Sequence, residues 1–200
     1  MDRRALKTKR DIKFAFVTLL TNKKLDDISI KELAETAEIN RATFYKHYED
    51  KHDLLAALET EIIETTKAII HRSMPLTPNV PYQKQPAFQA ILEIYRYIAK
   101  EKPLLRVLIG PNGNPNFIQH LQYLLEHLLE KHFEDFQQSP DATVSREYAI
   151  VYAAYAHLGV IRQWVLKDLA DTPEEMTEML ISLLLNGPVH AAGFITRQMY

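Results

Sequence analysis

The stretch ISIKELAETAEINRATFYKHYEDKHDLL, Ile28 to Leu55, decides the fold, because cap residues and hydrophobic period restart within it at short intervals. Ser29-Ile30-Lys31-Glu32 has the form of a capping box, so a short helix is expected from Ser29, with Ile30, Leu33, Ala34 and Ala37 on its buried face. The pattern breaks at Glu38-Ile39. Asn40 can cap the next helix, with Ile39 before it and Phe44 inside it at the spacing of a hydrophobic staple. Asp50 starts another, expected to run to about Arg72. Two short helices joined by a turn of about four residues, the second rich in Arg, Lys, Thr and Tyr, form the signature of a helix-turn-helix.

The helical wheel adds chemistry to that signature. Phe44 and Tyr48 lie one turn apart and can face inward, which leaves Arg41, Ala42, Tyr45 and Lys46 on the opposite side. Arg and Lys donate to guanine O6 and N7 in a major groove, Ala touches a thymine methyl, and Tyr, Thr or His donate to phosphate oxygens. Upstream, Ile12, Ala15, Phe16, Leu19 and Leu20 recur at helical spacing, and the other face carries Lys9, Arg10 and Lys13.

Composition sets the outer bounds. The chain has 200 residues, 46% hydrophobic and 25% charged, with no Cys, which excludes disorder and a disulfide-stapled scaffold. No apolar stretch approaches the roughly 20 residues of a membrane helix, so a cytoplasmic protein with no membrane partner is expected. The formal charge of −2 is uneven: residues 1–52 hold 12 Lys or Arg against 9 Asp or Glu, so the head is basic and the remainder acidic. A polyanion is therefore expected to meet the head alone.

The first of only 5 Gly is Gly110, which rules out a Gly-rich phosphate cradle in the first half of the chain. Without Cys, a Gly-x-Ser-x-Gly elbow or a His paired with carboxylates at catalytic spacing, no enzyme is expected, and no cofactor. His120, His127 and His132, with Glu126 and Glu130, lack the i, i+4 His pair that grips one ion, so they read as a solvated face and no metal site is expected.

Pro75, Pro78, Pro81 and Pro86 mark a connection after the fourth helix. The domain boundary is placed before it, inside that helix: residues 1–52 as the DNA-binding head, with the start of helix 4, and 53–200 as a helical body. In the body, Phe88, Ile91, Leu92, Tyr95 and Ile98 trace a helix, Pro103 opens a short one, and Pro111 to Pro115 forms a turn. A long helix is expected from Asn116 to Phe136, and another from near Val144. That last helix carries two stripes, Tyr148, Tyr152, Tyr155 and Gly159 on one side and Ala149, Ala153, Ala156, Val160 and Trp164 on another. A final helix starts at Asp171-Thr172-Pro173-Glu174 and is apolar nearly all round from Met179 to Leu185. Such faces fit a homodimer built on a C2 four-helix interface.

The order of residues Ile28, Ser29, Leu33, Ala34, Ala37, Ile39, Thr43, Phe44, Tyr45, Tyr48, Lys51, Leu54 and Leu55 closely resembles the DNA-binding domain of the TetR/AcrR family of bacterial transcriptional regulators. The body, in YRYIAKEKPLLRVLIGPNGNPNFIQHL (Tyr95 to Leu121) and YAHLGVIRQWVLKDLADTPEEMTEMLISLL (Tyr155 to Leu184), is similar to a TetR-like ligand domain of Gram-positive regulators. The resemblance implies that Arg41, Ala42 and Lys46 face bases, that Lys31 reaches the groove edge, and that Ser29, Thr43, Tyr45, His47 and Lys51 meet phosphates.

It also implies an effector pocket in the body, for which Tyr95, Phe117, Tyr152, Tyr155 and Trp164 are the candidates, aromatic rings offering apolar walls with a polar tip. The expected partners are double-stranded operator DNA, a second copy of the chain, and a small-molecule effector or protein of unspecified kind. The expectation is thus an all-α, ligand-responsive repressor that binds a near-palindrome as a homodimer; the rival is a co-regulator or interaction protein of the same fold that has lost operator binding. Where the family usually has Gly, the turn has Glu38. A left-handed backbone there costs on the order of 1 kcal/mol, unless Ala37-Glu38 extends the preceding helix.

Overall fold

The computed structural model describes residues 3–71, 86–111, 113–133, 138–168 and 170–193. Its regular elements are helical: α1 (Arg3–Asn22), a 3₁₀ turn (Leu25–Asp27), α2 (Ile30–Thr36), α3 (Arg41–Tyr45), α4 (Lys51–His71), α5 (Pro86–Lys100), α6 (Lys102–Leu108), α7 (Pro115–Phe133), α8 (Arg146–Leu166) and α9 (Pro173–Ala191). Among the described residues there is no strand. The Pro-rich connection expected from Pro75 onward lies outside them, save for Pro86 at the start of α5.

The chain divides into two compact units, one holding the described parts of 1–65 and 101–119, the other those of 66–100 and 120–200. Packing thus draws the first unit more widely than the expected head of 1–52, adding more of α4, all of α6 and the start of α7. The α1 stripe explains why α6 belongs there. Ile12, Phe16 and Leu20 are buried, as are Leu104, Leu105 and Leu108 of α6, which packs on α1. Each fully buried side chain of this kind contributes about 1.5–3 kcal/mol. Lys13, on the flank of that stripe, reaches Glu61 of α4 at 3.0 Å and Glu101 at the α5–α6 junction at 2.8 Å. Burial alone would lower its pKa, but the two carboxylates outweigh that and raise it above the ordinary 10.5.

Caps set the helix starts as the sequence requires. Ser29 Oγ accepts the Glu32 N–H, and Asn40 Oδ1 accepts the Ala42 N–H. The expected capping box at α2 is half formed, because the Glu32 carboxylate pairs with Lys23. At α4, Asp50 accepts the Asp53 N–H, and the Asp53 carboxylate accepts the N–H of Glu49, one residue ahead of the cap. Gly113 closes the turn before α7; a Cβ there would stand 1.8 Å from the Leu108 carbonyl oxygen, a contact only Gly avoids.

In the second unit α5 lies along α9, and Phe88 and Leu92 meet Ile181 with Ile91 beside them. Arg96 of α5 donates from Nε and Nη2 to Glu174 at the start of α9. Thr172 caps α9 reciprocally with Glu175. A departure follows at Gly187 (φ 72, ψ 160), where the helix path breaks just ahead of Pro188.

The buried face of α8 consists of Ile150, Ala153, Ala154, His157, Trp164 and Val165. This corrects the second expected stripe: Ala153 and Trp164 are inside, whereas Ala149 and Ala156 are exposed. His157 holds its Nδ1 2.7 Å from the Ala153 carbonyl, which can only accept, so Nδ1 carries the proton. Burial lowers its pKa below the ordinary 6.5, and the Ala153 bond opposes this. Below pH 6.5 the unfolded chain therefore binds a proton that the folded chain resists, and the stability present above that value is lost as pH falls through the folded pKa. The thermal midpoint of the wild type should drop between about pH 7.5 and about pH 5.5, and His157→Gln should flatten part of that drop; superimposable profiles would contradict the assignment.

Candidate nucleic-acid interface

The interface lies within the first unit and is built outward from Phe44. This ring is fully buried, edge-on to Tyr45 at 5.6 Å between centroids and tilted against Tyr48 at 5.8 Å. Once Phe44 and Tyr48 face the core, helical geometry turns Arg41, Ala42, Tyr45 and Lys46 outward, and all four are exposed. The Tyr48 N–H donates to the Phe44 carbonyl at 3.0 Å, so helical bonding continues past the end of α3.

The turn ahead of α3 fixes its departure from α2. Ala37 caps α2 in the right-handed region, and Glu38 is left-handed with φ 55. The Ile39 N–H then returns to the Ala34 carbonyl at 2.9 Å, the bond pattern of a helix-ending reversal. The turn therefore keeps the left-handed geometry that favours Gly instead of extending α2. Glu38→Gly should stabilise the protein by about 1 kcal/mol, read as a raised unfolding midpoint. An unchanged or lowered midpoint would show the strain to be compensated.

The flanking candidates are placed as follows. Ser29 is exposed, and its oxygen is engaged by Glu32 while its O–H can still donate outward. Lys31 is exposed and lies 3.9 Å from Glu35. A pair this open to water holds the ammonium weakly, and a phosphate can compete for it. Thr43 and His47 are half-buried. Lys51, expected at a phosphate, directs its ammonium to the carbonyls of Asp26 at 2.7 Å and Ile28 at 3.0 Å. It ties the start of α4 to the segment before α2 and leaves one N–H for any phosphate. That job depends on carbonyls more than 20 residues upstream and has no signal in the local pattern.

The aromatic candidates of the body do not form one lining. Tyr95 is buried, with its ring 5.6 Å from that of Trp164, whose Nε1 donates to the Asp171 carbonyl. Tyr152 and Tyr155 are 60% and 54% exposed, and Gln122 donates to the Tyr155 hydroxyl. They belong to the outer face of α8, which removes them from the interior that holds Tyr95 and Trp164. Phe117 is fully buried in the first unit. The Tyr95 hydroxyl is buried without a hydrogen-bond partner among the described residues, and burial pushes its pKa far above the usual phenol range. His127 lies 3.9 Å from Glu130, and among the described residues no three His, Asp or Glu side chains gather to hold a metal ion.

A three-helix head that turns the cationic side of its third helix outward, followed among the described residues by helices alone, defines the helix-turn-helix class. Residues 17–58 match bacterial regulatory proteins of the tetR family, and residues 85–186 match the transcriptional regulator C-terminal region. The chain belongs to the tetR family of transcriptional regulators and carries its DNA-binding domain.

It is 25% identical over 186 residues to the uncharacterised HTH-type transcriptional regulator YxbF of Bacillus subtilis (strain 168), covering 92% of this chain and 46% of YxbF. The chain thus spans about half the length of that curated relative. Its fold is similar to that of the dihydroxyacetone kinase operon activator DhaS (21% identity, 90% of this chain and 94% of DhaS, TM-score 0.59). It is also similar to NalD, the secondary repressor of the MexAB-OprM efflux pump in Pseudomonas aeruginosa (18% identity, 93% and 98% covered, TM-score 0.59). No described helix is long and apolar enough to cross a membrane.

Proposed function

We propose that this regulator is a homodimeric, effector-responsive repressor that reads a near-palindromic operator. The observation that carries the reading is the outward set Arg41, Ala42, Tyr45 and Lys46 on a helix whose inner side is locked by Phe44. Arg41 and Lys46 supply donors for guanine edges, Ala42 fits against a thymine methyl, and Ser29, Lys31, Thr43, Tyr45, His47 and the remaining N–H of Lys51 serve phosphates. Two such helices on a C2 dimer enter successive major grooves about 34 Å apart.

Dimerisation is supported by the uncovered apolar faces of α8 and α9, where Tyr148, Val151, Tyr152 and Tyr155, and Met179, Leu184 and Leu185, are exposed. An effector is supported by Tyr95: a ligand oxygen within reach of its orphaned hydroxyl, beside the Trp164 ring, would recover the hydrogen bond that burial has removed. Such a ligand releases the operator only if it binds better to the arrangement of heads that fits DNA less well. Repression is the adopted sign because occupancy of an operator suffices for it, while activation also needs a surface for the polymerase.

Selection of the preferred duplex from a random pool tests the reading and its two-fold symmetry together. Against the selected site, Arg41→Ala should lose about 1–3 kcal/mol of discrimination and bind preferred and unrelated duplexes more nearly alike. Equal weakening on every sequence would remove Arg41 from the base-reading role.

A further inference from the structure

One ammonium ties α1 both to α4 and to the α5–α6 junction. Lys13 Nζ stands 3.0 Å from a Glu61 oxygen and 2.8 Å from a Glu101 oxygen, and the Lys13 and Glu101 side chains are only 21% and 13% exposed. Glu101 is the residue at which the chain re-enters the first unit, and Glu61 stands one turn before α4 leaves it. Such a triad adds little net stability, because desolvation offsets much of the attraction; what it supplies is the selection of one arrangement. The α1 stripe of Ile12, Phe16 and Leu20 is held by burial, which is non-directional and tolerates sliding. An ammonium whose N–H groups point at two fixed carboxylates does not.

The same side of α1 seats the far end of α3. Lys9, one turn before Lys13, holds its Nζ 6.0 Å from the centre of the Tyr48 ring. Tyr48 is buried, and its N–H donates to the Phe44 carbonyl, so its ring moves with the helical run that begins at Arg41. Burial pushes the Tyr48 phenol above its ordinary pKa, Glu61 and Asp53 push it further, and Lys13 opposes them. The hydroxyl thus feels two members of the triad. Phe44 fixes the middle of the run and Tyr48 its end.

We propose that Lys13 is a positioning residue for base reading: by fixing α1 against α4 and α6 it sets the seat of Tyr48, and with it the angle at which Arg41, Ala42 and Lys46 are presented. The proposal rests on the operator-reading role of α3 and gives Lys13 no contact with DNA. A shifted seat falls unequally on the two kinds of contact. Hydrogen bonds to base edges weaken steeply beyond about 3.2 Å and below about 120°, whereas a long cationic side chain follows a phosphate by rotating. Loss of the ammonium therefore removes sequence preference before it removes affinity for DNA as such.

The test compares the wild type with Lys13→Met and with Lys13→Met/Glu61→Gln/Glu101→Gln. Thermal midpoints are recorded, and binding is measured between about 50 and about 200 mM salt on the selected duplex and on an unrelated one. Lys13→Met strands two neighbouring carboxylates and should lower the midpoint; the triple variant carries neither charge and should recover most of it. In both variants the ratio of selected to unrelated binding should fall at least about tenfold, the discrimination of roughly one bidentate base contact. Affinity for the unrelated duplex and the salt dependence should stay as in the wild type, since no phosphate contact is lost.

A triple variant that regains the wild-type ratio together with the midpoint reduces Lys13 to a stabilising residue and overturns the proposal. Equal weakening on both duplexes with a shallower salt dependence would make Lys13 a phosphate contact and overturn it as well. Should the triple variant fail to fold, Glu101→Gln, which leaves the Lys13–Glu61 pair in place, decides the matter: a lowered ratio supports the positioning role and an unchanged one overturns it. If the wild type itself prefers no duplex, the operator-reading role of α3 fails first, and the role of Lys13 falls with it.

Discussion

Tyr152→Glu combined with Leu185→Glu is expected to convert the proposed dimer into a folded monomer and to weaken operator binding by about a hundredfold or more. Both positions are exposed, at 60% and 69%, so the substitutions disturb little inside one copy. In a dimer that covers these faces, two carboxylates per chain would be desolvated against Tyr148, Val151 and the apolar residues of the partner. Burying an uncompensated charge costs several kcal/mol, enough to dissociate an interface of ordinary strength. The weaker hold on DNA follows from tethering. Two linked heads raise each other's effective concentration, and avidity of this kind exceeds the single-head affinity by about 10²–10⁴. Sedimentation reports the monomer, and titration on the selected duplex reports the weakened binding. A double variant that still sediments as a dimer would place the interface elsewhere.

Phe44→Ala should remove about 3–5 kcal/mol of stability, the range for deleting a fully buried aromatic ring. The ring has no exposed surface and contacts both neighbouring tyrosines, so truncation opens a cavity at the point where α3 is held down. Set against the roughly 5–15 kcal/mol that stabilises a typical domain, this destabilisation removes a large share of the margin that holds the recognition helix in place. Amide exchange in α2 and α3 should accelerate more than in α8, and operator binding should fall even where overall helicity is preserved. A destabilisation below about 1 kcal/mol in urea unfolding would mean that the site collapses around the gap.

The two experiments address different levels of organisation, and the sequence carries them unequally. Phe44 was legible because a cap at Asn40, a staple from Ile39 and one-turn spacing to Tyr48 all lie within a few residues of it. The same local rules place the starts of α2, α4, α8 and α9, whose capping side chains bond within their own first turns. They also separate the outward from the inward residues of α3, so most of the candidate interface was readable before any coordinates.

Local rules were less reliable where a side chain had a choice of partners. Glu32 meets the capping-box pattern yet pairs with Lys23, and Lys51 satisfies two backbone carbonyls. On α8, Tyr152 and Tyr155 have the amphipathic chemistry of a pocket wall but lie on the exposed face, while Tyr95 and Trp164 are packed together inside. Periodicity identifies a face without saying what covers it.

By itself, then, the sequence determined the helical class, the order and caps of the helices, and the outward cationic side of α3, because these depend on interactions spanning no more than about a turn of chain. The tertiary structure decided which face of α8 is covered, that Glu38 takes a left-handed backbone, that α6 packs on α1, and that Lys13 joins Glu61 to Glu101. The physical reason is distance along the chain. Contacts between residues tens of positions apart depend on how whole helices pack, and burial, partner choice and backbone strain are set only when that packing is complete.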